Sequence, residues 1–297
     1  MKIPAYWKPD GKAHVVAPSG TFSEERLDTG LVLLRDAGFE PVIAAGVFDK
    51  ARYLAGPDEA RVAGVRWALG QPGLEVVWAA RGGYGGARLL PDLAPEAIAA
   101  VSPWLVGFSD VTALHGLWAR AGFCSIHGAN ITTLDMWTSE ARDELFGLLT
   151  GEIREQHFEG ESVAAGQAEG TLLGGNLTVL GSLAGTGYLP SFDGAILLIE
   201  DIGERPYRLD RTLTQLLQSG ALQGLRGVVI GQLTRCDAPG EAAYGPVDVI
   251  ADILGPLGIP VASGFPFGHE EDARAVVLGA NAQLDERGVL TVRTGEE

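Results

Sequence analysis

The sequence predicts an α/β protein built on a parallel sheet with helices on both faces. Two observations carry that prediction. Short apolar runs alternate with stretches of helical spacing through the first half of the chain, which is the pattern of strand–helix–strand crossovers. Glycine is also abundant, at 42 of 297 residues, against a usual share of roughly 7%. Many of these glycines close an apolar run, where tight turns between strand and helix need them.

The elements follow in order. His14-Val15-Val16-Ala17, ended by Pro18-Ser19-Gly20, reads as a buried first strand. Ser23 caps a helix with acids in its first turn and Leu27, Leu31 and Leu34 at helical spacing, stopping near Gly38. Pro41 to Ala45 is a second strand, Pro57 to about Leu69 a helix, and Leu74 to Ala80 a third strand. Trp104-Leu105-Val106 is a further strand that breaks at Gly107, and Phe123 to Gly128 another. From about Asp135 to Gly151 the pattern is helical. Glu152 to Gln167 is polar and without period, so the expected organisation is an N-terminal unit 1–151, a linker 152–167 and a C-terminal unit 168–297. In the latter, Glu169 to Asn176 reads as a Gly-punctuated turn before a short helix, Leu177 to Leu183. Gly194 to Glu200 and Leu225 to Gly231 read as buried strands. Pro246 to Leu254 is a helix with proline in the tolerated first turn. Pro260 to His269 is a strand running into a loop, and Ala275 to Gly279 and Gly288 to Val292 are closing strands.

Composition limits the function classes. A net charge of −16 argues against non-specific binding to nucleic acid or an anionic membrane surface. Cys124 and Cys236 are far apart and in no C-x-x-C spacing, so neither a disulfide framework nor a zinc ribbon is expected. The N-terminus has no apolar core of a signal peptide, and no run of about 18 apolar residues occurs. A soluble cytoplasmic protein without membrane or nucleic-acid partners is expected. With a mean hydropathy of +0.14 and 46% hydrophobic residues, the chain is of ordinary globular composition, long enough for two modest domains.

The most informative stretch runs from Leu105 to His115. Ser109 stands where a strand turns sharply into a helix, so its hydroxyl is lifted above the sheet and the first free N–H groups of the helix point at whatever it attacks. Serine before a helix is also what capping alone predicts, and the stretch by itself favours the cap. The G-x-S-x-G elbow is incomplete, since Val111 occupies the last glycine position. The loop Arg81-Gly82-Gly83-Tyr84-Gly85-Gly86 lacks both G-K-S/T and G-x-G-x-x-G spacing, so phosphate or dinucleotide binding is not expected. It reads either as a plain turn or, because it leaves a strand end as Ser109 does, as a donor of N–H groups to an oxyanion hole.

Glu200 closes a buried strand at its carboxyl end, where α/β enzymes present ligand-facing groups; a solvated terminal glutamate is the other reading. A serine nucleophile needs a base within hydrogen-bond reach, and a carboxylate on the base's other ring nitrogen fixes its tautomer. Of five histidines, His14 is at the wrong end of a strand, His157 lies in the linker and His115 sits well along the helix. His269 and His127 remain, and the residues alone leave both open. Neither H-E-x-x-H nor another paired-ligand spacing appears, so no metal and no cofactor is expected.

The short blocks Val16-Ala17-Pro18-Ser19-Gly20, Ala80-Arg81-Gly82-Gly83-Tyr84-Gly85, Gly107-Phe108-Ser109-Asp110-Val111-Thr112, Leu173-Gly174-Gly175-Asn176-Leu177, Ile199-Glu200-Asp201-Ile202-Gly203-Glu204, Pro206-Tyr207-Arg208-Leu209-Asp210-Arg211 and Phe267-Gly268-His269 occur in this order. In this the chain resembles the LD-carboxypeptidase family, serine peptidases that include the microcin C self-immunity proteins. The resemblance covers most of the chain and departs at Ala129 and Gly187, where the family often has proline. It implies an N-terminal α/β domain, a C-terminal mixed-sheet domain and an active site between them. Ser109 would be the nucleophile, His269 the base and Glu200 its orienting acid. The Asp110 amide and that of Gly82 or Gly83 would form the oxyanion hole.

The same resemblance implies a homodimer that releases D-alanine from murein tetrapeptides during peptidoglycan recycling. Such a substrate carries free carboxylates, for which Arg81, Arg205 and Arg208 are candidates by location. Two alternatives accompany it. One is an immunity-type hydrolase of aminoacyl-nucleotides, for which Trp137 could supply a stacking face unless it is a core residue. The other is a non-catalytic muropeptide-binding protein, which an intact Ser109, Glu200 and His269 disfavours.

Overall fold

The computed structural model describes residues 1–8, 11–238, 240 and 244–295. The first part of the chain alternates as expected: β1 (Lys12–Val16), α1 (Glu24–Asp36), β2 (Glu40–Ile43), α2 (Asp58–Leu69), β3 (Val76–Ala79), α3 (Pro95–Val101), β4 (Trp104–Gly107), α4 (Thr112–Ala121), β5 (Ser125–His127) and α5 (Ser139–Thr150). The Ser23 hydroxyl caps α1 by accepting the Arg26 N–H at 3.3 Å. The helical pattern from Asp135 is divided. A short 3-10 turn, Ile131–Met136, ends at Trp137, and α5 starts afresh because Thr138 caps it.

The second part contains β6 (Glu155–Phe158), β7 (Glu161–Ala164), β8 (Ala168–Asn176), α6 (Leu177–Leu183), β9 (Ala195–Ile202), α7 (Pro206–Gln218), β10 (Gly227–Thr234), α8 (Pro246–Leu254), β11 (Val261–Ser263), β12 (Val276–Leu278), β13 (Asn281–Leu284) and β14 (Leu290–Arg293). Two local expectations change. The polar stretch 152–167 is not structureless: β6 and β7 form the two edges of the second sheet, where a strand needs few apolar residues. Glu169 to Asn176 is not a turn but most of the strand β8. Its glycines answer to packing, since a Cβ at Gly174 would fall 1.9 Å from the Leu198 carbonyl of the neighbouring strand.

Two sheets result. The first, in order β12-β5-β4-β3-β1-β2, is parallel except for β12, which returns from the C-terminal part to pair antiparallel with β5. The second, β6-β14-β13-β8-β9-β10-β11-β7, has a parallel centre and antiparallel flanks. The expected parallel N-terminal and mixed C-terminal sheets are therefore both present. Strands of the first sheet are buried on both faces: Val76, Trp78 and Trp104 enter one apolar cluster, Val77, Ala79 and Leu105 another. Burying each such aliphatic side chain stabilises the fold by about 1.5–3 kcal/mol before entropy is counted. The carboxyl end of β4 leads directly into Ser109, while Glu200 lies near the end of β9 and His269 follows β11.

Candidate active site

The backbone at Ser109 decides between the two readings of that residue. A capping serine has extended dihedrals and accepts a hydrogen bond from the first turn. Ser109 has φ +63°, Phe108 occupies the cap position, and no side-chain cap bond is formed. A left-handed non-glycine residue costs of order 1–3 kcal/mol and persists only where its surroundings over-determine it. Those surroundings are visible. The Asn130 side-chain oxygen accepts the Phe108 N–H at 3.4 Å, and the buried Asp110 carboxylate accepts the Gly86 N–H at 2.7 Å. His115 Nε2 donates to the Gly107 carbonyl at 2.8 Å, so its Nδ1 is left to accept from the Ser125 hydroxyl, also at 2.8 Å. Burial pushes the His115 pKa down to about 4, partly opposed by the Gly107 bond. This histidine is a neutral brace under the turn.

The glycine loop after β3 packs onto that turn. A Cβ at Gly82 would stand 3.0 Å from Ser109 Cβ and 3.3 Å from its Oγ, so any side chain there would press on the serine. The Gly82 carbonyl is taken by the Gly20 N–H at 3.0 Å. The N–H groups of Gly82 and Gly83 have no acceptor among the described residues. Arg61, 3% exposed, donates to the Gly85 carbonyl at 2.9 Å and to the Pro18 carbonyl, and pairs with Asp58, which also holds Arg88. The sequence reading missed Arg61. Its signal was Asp58 three residues earlier on the same helix, the spacing of a helical ion pair.

On the second sheet, Glu200 is wholly buried, and its Oε2 accepts from His269 Nδ1 at 2.8 Å. Burial raises the Glu200 pKa above the usual carboxylate range, the His269 bond opposing the rise. The neighbouring Asp201 is engaged elsewhere, accepting from the Thr178 N–H and hydroxyl, the Ile202 N–H and the Asn176 amide at 2.8–3.2 Å. His127 is buried, neither ring nitrogen has a hydrogen-bond partner among the described residues, and burial holds its pKa well below the usual histidine range. The carboxylate that could orient a base therefore belongs to His269 and not to His127.

The elbow and the Glu200–His269 pair meet through Phe108. Its ring lies 4.8 Å from the His269 ring, centroid to centroid. The Ser109 hydroxyl itself has no hydrogen-bonded partner among the described residues. An unliganded catalytic hydrogen bond is often long and tightens only with substrate. Of the three arginines, Arg81 is exposed and bonds only to the Thr21 carbonyl. Arg205 bonds to the Asp237 carbonyl at 3.2 Å, and Arg208 pairs with Glu204 at 3.3 Å. Trp137 is 5% exposed and belongs to an apolar cluster shared by the two sheets.

Comparison with known proteins agrees with this architecture. Residues 13–128 match the family model of the LD-carboxypeptidase N-terminal domain, and residues 169–284 that of the LD-carboxypeptidase C-terminal domain. A protein of Streptomyces coelicolor is 41% identical, over 97% of this chain and 95% of its own length. The murein tetrapeptide carboxypeptidase of Pseudomonas aeruginosa is 34% identical, over 94% and 95%. The crystal structure of a muramoyltetrapeptide carboxypeptidase from Oxalobacter formigenes superposes with a TM-score of 0.86 at 30% identity, covering 96% of this chain and 99% of that one. A microcin self-immunity protein superposes at 0.89 with 20% identity, over 99% of both chains, a likeness of fold alone.

Proposed function

The chain belongs to the LD-carboxypeptidase family, and on that premise we propose that it is a serine carboxypeptidase releasing the terminal D-alanine of murein tetrapeptides by hydrolysis of an L,D amide bond. The observation that carries the mechanism is the 2.8 Å hydrogen bond from His269 to the buried Glu200, with the His269 imidazole packed on Phe108, the residue before a serine held at φ +63°. Ser109 attacks the carbonyl carbon while His269 Nε2 takes its proton. Glu200 holds the Nδ1–H tautomer and stabilises the imidazolium that forms. The negative oxygen of the tetrahedral intermediate is met by the Asp110 amide and that of Gly82 or Gly83. His269 then passes its proton to the leaving D-alanine amine, and water repeats the sequence on the acyl-enzyme.

Arg81 is the arginine best suited to the substrate's free carboxylate. It adjoins Gly82, and its only described bond is to a carbonyl, which leaves its charge unneutralised. An aminoacyl-nucleotide substrate gains no support from Trp137, whose faces are buried in the core. In this reading residues 1–151 carry the nucleophile and 168–297 the acid and base. The enzyme works in the cytoplasm as a homodimer, a state sedimentation analysis would test.

The test is D-alanine release from a purified murein tetrapeptide by wild type, Ser109→Ala, His269→Ala and His127→Ala. Release by wild type and His127→Ala, with loss in the other two, is expected. Full activity in Ser109→Ala would sink the mechanism, and an inactive wild type would sink the substrate.

A further inference from the structure

The base must be held as firmly as the nucleophile, yet His269 sits in the loop between β11 and β12 rather than in a strand. One residue outside the triad grips that loop on both sides. Strand β10 runs in register with β9 up to Ile230 and resumes at Leu233, so Gly231 and Gln232 form a bulge. Bulges next to active sites re-aim a strand's side chains and backbone groups. Here the bulged residue Gln232 bonds to the histidine loop. The Gln232 backbone N–H donates to the Phe267 carbonyl at 2.8 Å. Its side-chain oxygen accepts the Glu270 N–H at 2.8 Å, and its side-chain nitrogen donates to Asp272 Oδ1 at 2.7 Å. The approach is close enough that a Cβ on Gly231 would lie 2.3 Å from the Phe267 carbonyl oxygen.

We propose that Gln232 is a positioning residue for the general base: its three hydrogen bonds, to residues on either side of His269, fix the direction in which the imidazole presents Nε2 to Ser109. This rests on the serine-hydrolase reading above. The amide is suited to the task because it offers one acceptor and one donor from a single planar group, and the loop presents one donor, the Glu270 N–H, and one acceptor, the Asp272 carboxylate. Neither contact touches the imidazole, so binding of the substrate should be spared while proton transfer suffers. Misplacing a catalytic group by about 1 Å costs up to ~100-fold in rate.

The experiment compares wild type with Gln232→Met, Asp272→Ala and the exchanged pair Gln232→Glu with Asp272→Asn. Two readouts are used. One is kcat and KM for D-alanine release. The other is the rate at which an organic fluorophosphonate labels Ser109, which needs the base but no murein substrate. Gln232→Met, which keeps volume and loses both side-chain bonds, should lower kcat and labelling by about ten- to a hundredfold with KM within about twofold. It should add no further loss to His269→Ala, since both act through the same imidazole. The exchanged pair swaps donor and acceptor across the contact and should recover most of the rate.

Labelling and kcat in Gln232→Met within about twofold of wild type would overturn the proposal. So would an exchanged pair as slow as Gln232→Met, or a further loss from Gln232→Met on His269→Ala. If Gln232→Met fails to fold, Asp272→Ala removes one contact from an exposed position, and an unchanged labelling rate there overturns the proposal equally. If wild type labels but releases no D-alanine, the substrate reading has failed and the positioning role is still decided by labelling.

Discussion

Replacing Glu200 by glutamine changes one atom at the centre of the site, and the surroundings allow its cost to be worked out. In wild type Oε2 accepts from His269 Nδ1 at 2.8 Å, while Oε1 is buried without a hydrogen-bond partner. The glutamine amide has two ways to fit. If its oxygen accepts from Nδ1–H, the base keeps its tautomer, but a donor NH2 group takes the buried place of the acceptor Oε1. If the amide flips, NH2 donates to Nδ1, the unpartnered oxygen stays where an unpartnered oxygen already was, and His269 must carry its proton on Nε2. The flipped form is then unable to accept the serine proton. Where that NH2 group finds no acceptor, a buried unsatisfied donor costs about 1–3 kcal/mol, which makes the competent form a minority by roughly 5- to 150-fold on orientation alone. Loss of the negative charge that stabilises the imidazolium comes on top of this. The expectation is a fall in kcat of about 10³–10⁴-fold with KM within about threefold.

Stability separates this outcome from misfolding. Burial raises the Glu200 pKa in the folded protein above its unfolded value. The folded state therefore binds this proton more tightly, and the group's contribution to stability falls as pH rises from the unfolded pKa to the raised one. Glutamine removes that loss, so above neutral pH Glu200→Gln should melt no lower than wild type while being nearly inactive. A variant retaining more than about a tenth of wild-type kcat at unchanged KM would refute the role given to Glu200.

Gly82→Ala puts a methyl group 3.0 Å from Ser109 Cβ and 3.1 Å from the Phe108 carbonyl. Loss of about tenfold or more in kcat is expected from displacement of the proposed oxyanion donors, with no loss of folded protein by circular dichroism; wild-type kcat would count against a cradle at this position. Acid should destabilise the protein through its buried histidines. With the His115 pKa lowered to about 4, the unfolded state takes up this proton first as pH falls below the ordinary histidine range. Stability present at pH 7 is then lost progressively, by about 2–3 kcal/mol at pH 4.5 from this residue alone. His127, also lowered, adds in the same direction. Urea unfolding at both pH values measures the loss, which should shrink in His115→Gln.

The first sheet was legible because its strands are buried on both faces and therefore read as unbroken apolar runs, as in Leu105-Val106 and Val76-Val77. Leu177–Leu183 and Pro246–Leu254 fall within the bounds that spacing and capping suggested. The second sheet was harder for two physical reasons. Its edge strands β6 and β7 face solvent over much of their length, so Glu161-Ser162-Val163 shows no apolar pattern. In β8 the demand for close approach to β9 overrides strand propensity, and Gly174-Gly175 imitates a turn. At the site, residue types marked Ser109, Glu200 and His269, but choosing His269 over His127 needed the order of the family's motif blocks. Most partners of Gln232 and Arg61 are backbone carbonyls and N–H groups, which every residue carries; only Asp58, one helical turn before Arg61, and Asp272 beyond His269 are side-chain partners.

The position of His269 also follows from where its loop is tied. The preceding strand β11 belongs to the second sheet and the following strand β12 to the first, so the loop crosses from the sheet that carries Glu200 to the one that carries Ser109. Each end has its own anchor. Gln232 holds the 267–272 segment to the second sheet. Beyond it, Arg274 forms a two-pronged pair with Glu144 of α5, both contacts at 2.7 Å, and the Ala275 carbonyl accepts from Gln156 at 2.8 Å. A parallel fork of this kind fixes direction as well as distance. The proposed base is thereby referenced to both sheets at once. A shift of one sheet against the other would move His269 relative to either Ser109 or Glu200, and the pairing of β12 with β5 resists that shift with a backbone ladder running Val276 to His127, Val277 to Ile126 and Leu278 to Ser125. A site assembled from two sheets needs such a tie, and here the chain supplies it by carrying the proposed base on the crossing itself.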